Sequence, residues 1–540
     1  MSARVASGGI SRREPVAWAG IAAVTAGVLL HLPMYVGAAD ENYRLEGMPV
    51  DPPMLIGMML IFAGLGLTAY GLFPRARVAD RGSVARVSIK PLDDAPINGA
   101  HVGLLLVMAA AVTIDVMKPT TLAFVVPGFA AEYGLRSPIN PAGHPAAALL
   151  PLAGITGTVL GSLCWGWLGD RIGRRASILL AGVLFVATAV CGSMPSYQLN
   201  LVMCFVMGLG VGGMLPIVFT LMAETIPSRH RGWLMVLIGG DVAGAYILTS
   251  WLSSALVPEY SWRILWLIGL PTGLLLIVLN RWIPESPRFL LAHGRNEDAR
   301  AVMARYGAKL VPDQKPELAV EELVQSRFAQ LFARPLRRPT SVVVLLGVGI
   351  GLVSFGFQLW IPTNLRSLGY TEVTADRILR DSALIGFPLN FLIAWLYGFW
   401  SSKKTIVLLA GLTAVALFAF ALAGDAVAGD RTLLNALLVV PIWGISSLVA
   451  VLAAYSAEVY PTRIRSRGSG LAAAVSKAGG VVVIAIVVAA IAPPTITGTA
   501  LLGAIPMALA ALAAAIFGIE TRKRRLEEIT AQEFQPETAR

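Results

Sequence analysis

The sequence predicts an all-α polytopic membrane protein with about fourteen transmembrane helices. Its 540 residues are 56% hydrophobic and only 14% charged, with a mean hydropathy of +0.70. Roughly a quarter of the residues of soluble proteins are charged, so lipid rather than water must surround much of this chain. The apolar residues also fall in runs of about 20, the length of helix that crosses about 30 Å of hydrocarbon. These observations exclude a disordered chain and a soluble globular enzyme.

The apolar runs form three groups along the chain. The first group is Ala17–Val36 and Met54–Phe73. The second group is Val102–Val126, Ala146–Leu168, Ala176–Gly192, Leu201–Met222, Leu234–Leu256 and Ile264–Asn280. The third group is Ser341–Ile361, Ala383–Phe399, Thr405–Ala423, Leu433–Tyr455, Gly470–Ile491 and Ala500–Ile519. Between the last two groups, Pro284–Arg338 mixes both charge signs with helix formers, which predicts short amphipathic helices joining two bundles.

These groups define the predicted domains. Residues 1–97 hold the N-terminus, two extra transmembrane helices and a basic loop. Residues 98–283 form a first six-helix bundle and residues 340–519 a second one. Residues 284–339 form the linker between the bundles, and residues 520–540 form a tail.

The distribution of Lys and Arg predicts the orientation in the membrane. Every second loop is basic, and the positive-inside rule places such loops in the cytoplasm. The loop of residues 37–53, by contrast, is acidic on balance. We therefore expect a multi-pass protein of the plasma (inner) membrane with both termini cytoplasmic. A cleaved signal peptide is the competing interpretation of the first run, which is long for one.

Other chemistries find no support in the sequence. Cys164, Cys191 and Cys204 lie in or beside apolar runs without CxxC spacing, which argues against a disulfide framework or a zinc site. No Walker loop, HExxH motif or Gly-x-Ser-x-Gly elbow occurs. The net charge of +11 is spread over short loops, so a nucleic-acid partner is not expected. We expect no cofactor, no metal and no enzymatic activity.

A repeat is the strongest internal signal. Ala223–Arg231 recurs as Ala457–Arg465, with Ala, Glu, Pro, a hydroxyl residue and two Arg at matching spacing. Each copy ends the fourth helix of a six-helix set. Two such sets in the same orientation indicate the parallel repeat of a secondary transporter, with its substrate site between the halves.

Several motifs resemble one known family. Gly166–Arg175, with the sequence GWLGDRIGRR, resembles the signature loop of the major facilitator superfamily. Further segments are similar to its sugar-porter and metabolite:proton-symporter branch: Gly208–Gly213, Pro284–Arg288, Trp360–Thr363, and Glu520–Thr521 followed by Leu526–Glu528. The resemblance covers roughly His101 to Glu528 and implies a major facilitator fold of two six-helix bundles. The two extra N-terminal helices depart from the usual twelve-helix plan.

Charged residues at the helix ends predict a cytoplasmic gate. Asp170 lies next to Arg171, Arg174 and Arg175, where a carboxylate can pair with charges on neighbouring helix ends. The resemblance implies that the gate also includes Glu224, Arg231, Glu285, Arg288, Glu458 and Arg465. Ordinary solvated positive-inside charges are the competing interpretation. The corresponding loop of the second half, Gly398–Lys404, has no acid, so we expect a degenerate second latch.

Ionisable residues inside apolar runs are candidates for the transport site, because each costs several kcal/mol in hydrocarbon unless it is paired or wetted. Asp115 and Lys118 lie three residues apart, so they share a helix face and could neutralise each other. The resemblance implies that an acid on this helix binds the proton, with an arginine at the position that Cys204 occupies here. A purely structural pair with Lys118 is the alternative.

Further candidates lie on other helices. Asp241 is either a second protonatable site or a partner of Lys118 or Lys477. Lys477 matches a basic position of the family and either contacts substrate or extends to the membrane surface. The remaining candidates for the cavity lining are Gln358, Asn364, Asn390, Tyr397, Trp360 and Trp443. Amides suit hydroxyls and carboxylates, and aromatic rings suit rings or cations, but for the tryptophans lipid packing competes.

Together these features predict a secondary active transporter of a small organic solute. We expect proton-coupled symport of an organic acid or sugar-like metabolite by alternating access, through Asp115 with Asp241 assisting. The partners are then the small-molecule substrate, protons and the lipid bilayer, and the protein is expected to be a monomer. One rival is a proton-antiport exporter of drugs or metabolites. Another is a non-transporting sensor or assembly partner that docks through a glycine-rich face such as Gly64–Gly66.

Overall fold

The computed structural model describes residues 14–73, 90–137, 140–308, 328–334, 336–358, 361, 381–382, 384–424, 431–461, 464–488 and 496–524. Within these ranges the regular structure is helical, apart from a single β-bridge between Arg136 and Ala146. Among the predicted features, the basic segments 1–13 and 75–89 and the residues Trp360 and Asn364 lie outside the described residues.

Thirteen helices in the described ranges are long and apolar enough to cross a membrane, and one further apolar helix, Leu384–Trp400, is shorter. In chain order they are α1 Glu14–Gly37, α2 Pro52–Leu72, α3 Gly99–Glu132, α4 Leu149–Ile172, α5 Arg174–Ser193, α6 Tyr197–Thr225, α7 Ser228–Tyr260, α8 Ile264–Trp282, α9 Arg337–Phe357, α10 Leu384–Trp400, α11 Ser402–Ala423, α12 Thr432–Val459, α13 Arg465–Ile486 and α14 Thr497–Phe517. The predicted all-α polytopic membrane fold is thereby confirmed.

Local sequence explains where these helices begin. Asp51 caps α2 by accepting a hydrogen bond from the backbone N of Met54 at 2.9 Å, and proline follows directly in the first turn. Asn98 and His101 form a capping box at the start of α3. Gly173 separates α4 from α5 with φ +95°, a conformation that side-chain-bearing residues rarely adopt.

Helices that carry candidate residues are irregular near them. Pro119 lies inside α3, four residues after Asp115, and has no N–H to bond the Asp115 carbonyl. Helix α7 is interrupted between Gly239 and Val242, and Asp241 lies in that interruption. Helix α9 ends in the π-helical turn Val353–Phe357. Such interruptions free backbone groups where a cavity or a partner helix can use them.

The first half, α3–α8, meets the second half, α9–α14, along closely packed helices. Helix α4 lies against α13, and α7 against α12. A Cβ atom at Gly166 would lie 2.9 Å from the carbonyl oxygen of Ser466. One at Gly470 would lie 2.8 Å from the carbonyl oxygen of Ser162. Glycine therefore lets the two halves touch backbone to backbone.

The extra helices α1 and α2 pack on each other and on α5. A Cβ at Gly27 would lie 2.6 Å from the Gly57 carbonyl oxygen, and one at Gly64 equally close to the Gly20 carbonyl oxygen. Gly64 is thus used inside the helix pair, whereas Gly66 faces open space. If another protein docks on Gly64–Gly66, as the sequence suggested, only the helix face that carries Gly66 is free to contact it.

The linker begins with two short helices. Pro287–Ala292 and Asn296–Arg305 are helical, as predicted for an amphipathic linker, while residues 309–327 and 335 lie outside the described ranges. The second linker helix docks on the start of α3, where Asn98 Nδ2 donates to the Arg305 carbonyl at 3.1 Å. This contact ties the linker to the first half.

Candidate functional site

Asp115 and Lys477 belong to opposite halves and interact electrostatically, although no ion pair joins them in the described part of the chain. The Asp115 side chain is 1% exposed, and its Oδ1 accepts no hydrogen bond from the described residues. Lys477, on α13, stabilises the Asp115 carboxylate electrostatically, and Asp115 stabilises the Lys477 ammonium in return. The Lys477 amine donates to Ser162 Oγ on α4 at 3.4 Å. Lys477 therefore points into the interface between the halves and does not extend to the membrane surface.

Lys118 does not neutralise Asp115. The structural pair of these two residues, which their spacing allowed, is therefore not formed. The Lys118 Nζ points towards α8, where a Cβ at Gly269 would lie 1.9 Å away, and it lies 5.9 Å from the Phe185 ring centroid. Lys118 is 4% exposed and borders a cavity of about 10 Å³, and its amine hydrogen-bonds to no residue of the described chain. The two charges thus face different helices.

Asp241 bonds Thr113 and not Lys118 or Lys477, the two partners that the sequence suggested. Its Oδ2 accepts a hydrogen bond from Thr113 Oγ1 on α3, two residues before Asp115. No ion pair joins Asp241 to Lys118 or Lys477, all three of which the structure describes. The interruption of α7 therefore packs against α3 within one helical turn of Asp115.

The residues predicted to line the cavity differ in burial and in their hydrogen bonds. Asn390 is 5% exposed, donates to the Gly240 carbonyl at 3.4 Å and accepts from Ser447 Oγ at 2.7 Å, so it bridges the halves. Gln358 is half-buried just beyond the π-helical turn of α9. Trp443 is partly buried, and its indole N–H has no hydrogen-bond partner in the described chain.

The gate residues lie at the membrane face that we call the basic-loop face. It is the face where α4 meets α5, α6 meets α7 and α12 meets α13, and it carries Arg171–Arg175, Arg229–Arg231 and Arg465–Arg467. Arg174 Nη2 lies 3.3 Å from Asp170 Oδ1 and 3.2 Å from Glu224 Oε1. Arg465 Nη1 of the second half lies 3.6 Å from the same Glu224 oxygen. An ion pair thus joins the two halves at this face.

Two acids hold equivalent positions in the halves, because each follows the last helix of its half and accepts from the first turn of another helix of that half. Glu285, which follows α8, accepts from the backbone N of Arg174 at 2.7 Å. Glu520, which follows α14, accepts from the backbone N of Ser402 at 2.9 Å and from its Oγ at 2.6 Å. Burial raises the pKa of Glu285. Burial acts likewise on Glu520, but hydrogen bonds from Ser401 and Ser402 outweigh it and lower the pKa of Glu520.

Glu520 supplies a carboxylate to the loop of the second half, but it bonds serines of that half and forms no ion pair with the residues that the structure describes, so a degenerate second latch stays a prediction. The loop Gly398–Lys404 has no acid of its own, but Glu520 reaches it from the end of the chain. The sequence showed Glu520 only as part of a motif. Its position after α14, like that of Glu285 after α8, is the signal that the duplication could have provided.

The remaining gate candidates have separate contacts. The Arg171 guanidinium lies 4.4 Å from the Trp167 ring centroid, and Arg175 Nε donates to Asn280 Oδ1 on α8 at 3.4 Å. Neither side chain forms an ion pair within the described residues, although the backbone N of Arg175 donates to Glu285 at 3.4 Å. Arg231 bonds Asp93, a residue that the sequence did not single out, and Arg288 lies 4.0 Å from the other Asp93 oxygen.

Glu458 is held by hydroxyls rather than by an ion pair. Its Oε2 accepts from Tyr397 at 2.8 Å and from Thr521 at 2.7 Å. Arg465, which follows it in the repeat, instead pairs with Glu224 of the other half. The two copies of the repeat therefore do not form equivalent contacts.

A polar cluster at the opposite membrane face escaped sequence reasoning. Glu132 at the end of α3 lies 2.6 Å from Arg263 Nη2, and Arg263 is fully buried. The Trp262 indole donates to Glu132 at 2.9 Å, and the backbone N of Leu45 and Glu46 donate to it at 3.0 and 3.2 Å. The loop between α1 and α2 is therefore fastened to the first half through one carboxylate.

Glu132→Ala should lower the melting temperature of the purified protein markedly. Removing one partner of a buried ion pair leaves an uncompensated charge, here on Arg263, and costs about 3–5 kcal/mol. Glu46→Ala is the matched control, because Glu46 is exposed and contributes its backbone N to the cluster. Thermal unfolding followed by intrinsic fluorescence measures both. Equal melting temperatures for the two variants would show that the cluster does not stabilise the fold.

Comparison with known proteins places these features in a family. Residues 145–532 match the family described as sugar (and other) transporter. The niacin transporter NiaP of Acinetobacter baylyi is 28% identical over 404 residues, covering 73% of this chain and 88% of that protein. The 4-hydroxybenzoate transporter PcaK of Pseudomonas putida is 27% identical over 408 residues, covering 70% and 83%.

Solved structures show the same fold. The major facilitator superfamily proton:xylose symporter XylE, bound to 6-bromo-6-deoxy-D-glucose, superposes with a TM-score of 0.67 at 19% identity, covering 80% of this chain and 98% of that one. The family match spans well over half of the sequence, and the relatives are membrane transporters rather than enzymes. The chain therefore belongs to the sugar (and other) transporter family and shares the fold of the major facilitator superfamily symporter XylE.

Proposed function

We propose that this protein is a secondary active transporter of a small organic acid, driven by proton symport. The observation that supports the proposal is the placement of one ionisable residue from each half: Asp115 of α3 is buried, and the partly buried Lys477 of α13 donates to Ser162 of the first half at 3.4 Å. A neutral solute needs no ammonium at its site, whereas a carboxylate does. We therefore favour an organic acid over a sugar-like metabolite.

The pair suggests how proton and solute binding are coupled. Without solute, Lys477 compensates the Asp115 carboxylate. A solute carboxylate that binds Lys477 competes for that compensation, and an uncompensated carboxylate in the membrane costs several kcal/mol. Asp115 then takes a proton from the aqueous side that the site faces. Solute and proton thus bind together, and Asp241, held by Thr113 nearby, assists as a second acid.

Alternating access supplies the movement. Rocking of the halves has to break the Glu224–Arg465 ion pair and the packing of α4 on α13 at the basic-loop face. We place this face in the cytoplasm, with both termini on that side, because it carries the basic loops. We further propose a monomer in the plasma membrane, with the domain boundaries 1–97, 98–283, 284–339, 340–519 and 520–540.

The names of the relatives agree with an acidic solute. NiaP of Acinetobacter baylyi is a niacin transporter, and PcaK of Pseudomonas putida is a 4-hydroxybenzoate transporter. A further relative, from Pseudomonas putida, is a gallate transporter, 26% identical over 407 residues. Niacin, 4-hydroxybenzoate and gallate are aromatic carboxylic acids, so we propose a monocyclic aromatic acid as the first solute class to test.

Counterflow in proteoliposomes tests the proposal with 4-hydroxybenzoate, nicotinate and xylose. Lys477→Gln should reduce exchange of the two acids by at least about tenfold, because removing the ammonium that is proposed to bind the solute carboxylate costs about 2–5 kcal/mol and 1.4 kcal/mol is tenfold. Lys404→Gln is the matched control, since Lys404 is exposed at the start of α11. Exchange of xylose alone, or full activity of Lys477→Gln, would contradict the proposed solute class.

Export by proton antiport remains the second candidate. The observation that favours it is Cys204, which is fully buried, lies 3.4 Å from the Leu150 carbonyl and offers no cation where the resemblance implies an arginine. A lower cellular accumulation of a fluorescent dye on expression would favour export over uptake. Failure of every counterflow assay would favour the non-transporting sensor or assembly partner.

A further inference from the structure

The gate joins the halves through one of two ion pairs that the internal repeat would allow. Glu224 and Arg465 belong to different copies of the repeat and lie 3.6 Å apart. The symmetry-equivalent pair is Glu458 with Arg231. That pair is not formed, because Arg231 bonds Asp93 and Glu458 bonds two hydroxyls.

Arg231 and Glu458 are nevertheless neighbours. A Cβ atom at Gly232, the residue after Arg231, would lie 3.3 Å from Glu458 Oε1. Both side chains are buried, at 2% and 5% exposure, and the Arg231 charge stabilises the Glu458 carboxylate electrostatically. The hydroxyl donors of Tyr397 and Thr521 are both bonded to Oε2. Oε1 is therefore the oxygen that faces α7, the helix that carries Arg231.

Asp93 comes from the segment that connects the extra N-terminal helices to α3. It is 6% exposed and lies beside the first turn of α7, where Ser228 Oγ donates to its carbonyl at 3.3 Å. Its two charged neighbours, Arg231 and Arg288, belong to the first half and the start of the linker. The Asp93 contacts therefore do not hold the two halves together.

We propose that Asp93 is a positioning residue of the gate: it holds Arg231 away from Glu458 and so limits the inter-half ion pairs of this repeat to Glu224–Arg465. Opening of the basic-loop face then requires one such pair to break rather than two. The extra N-terminal segment thus adjusts the balance between the two access states without contacting the solute.

Asp93→Asn should release Arg231 to Glu458 and keep the basic-loop face closed for longer. The reporter is Ser466→Cys in a Cys164→Ser background, because Ser466 is 3% exposed and lies between the halves, 3.5 Å from Arg174 Nη2. A membrane-impermeant maleimide is applied to the purified full chain, and mass spectrometry follows labelling at residue 466. We expect Asp93→Asn to slow labelling at least about tenfold, the factor that corresponds to the low end of the coupling energies of close, buried charge pairs.

The double variant with Glu458→Gln separates positioning from a merely structural role. With Glu458 neutral, Asp93→Asn should leave the labelling rate equal to that of Glu458→Gln alone, and Asp93→Glu should label like the parent. Unchanged or faster labelling of Asp93→Asn, or slowing that persists with Glu458→Gln, would overturn the proposal. The assay requires no solute, so its result is independent of the proposed solute class and proton coupling.

If Asp93→Asn alone does not yield a monodisperse protein, two variants that lack Arg231 test the same proposal. Arg231→Gln and the double variant Asp93→Asn, Arg231→Gln both lack the arginine that Asp93 is proposed to hold. Their labelling rates at residue 466 should be equal. A difference between them would show that Asp93 acts on the gate by another route and would overturn the assignment.

Discussion

Asp115→Asn is expected to abolish accumulation of the solute under a proton gradient while leaving solute exchange partly intact. An amide can neither take nor release the proton, so the gradient no longer drives net transport. Exchange needs only rocking of the solute-loaded halves, and Asp115→Asn alters none of the residues that form the Glu224–Arg465 contact at the basic-loop face. Uptake into proteoliposomes with and without an inward proton gradient, beside counterflow on the same preparation, measures the two activities separately.

The control for Asp115→Asn is an acid without a buried partner. Asp298, in the linker, forms an ion pair with Arg295 at 2.8 Å between well-exposed side chains, and such pairs contribute about 0–1 kcal/mol. Asp298→Asn should therefore accumulate solute normally. Because Asp115→Asn leaves Lys477 uncompensated, a melting temperature lower than that of the double variant with Lys477→Gln would show that part of the loss reflects folding. Normal gradient-driven accumulation by Asp115→Asn would refute its role as the proton site.

Gly208→Val is expected to prevent recovery of folded protein. A Cβ at Gly208 would lie 2.1 Å from the Gly154 carbonyl oxygen and 2.9 Å from the Thr158 backbone N. Both neighbours are backbone atoms of α4, so no side chain can rotate away, and the two helices would have to separate. Overpacking that side chains can relieve costs about 1–3 kcal/mol, and this contact offers no such relief.

Gly103→Val is the matched control for Gly208→Val. Gly103 also lies in a transmembrane helix, α3, but a Cβ there would meet nothing within 4 Å. Both variants add the same side chain with the same cost in helix propensity. Fluorescence-detected size-exclusion chromatography should show a monodisperse peak for Gly103→Val and aggregate for Gly208→Val. A monodisperse Gly208→Val would mean that α4 and α6 tolerate separation.

Several gate contacts could be predicted from the sequence because they depend on local spacing. Asp170 and Arg174 are four residues apart across a helix turn, and the structure pairs them. The Glu and Arg of the repeat were also recognisable, but their partners were not. Arg465 pairs with Glu224 rather than with the Glu458 of its own copy. Asp93 carried no motif at all, because its role arises only from where the chain returns beside α7.

Apolar run lengths, the repeat and the loop charges were enough to predict the helical membrane fold, the two halves and the basic-loop face. These properties depend on short stretches of chain and on transfer into lipid, which composition reveals directly. The partners of the buried charges were decided by tertiary packing. Residues three apart on a helix point roughly 60° apart, so Asp115 can face α13 while Lys118 faces α8. Which helix lies on each side depends on contacts between segments hundreds of residues apart, and no local pattern encodes them.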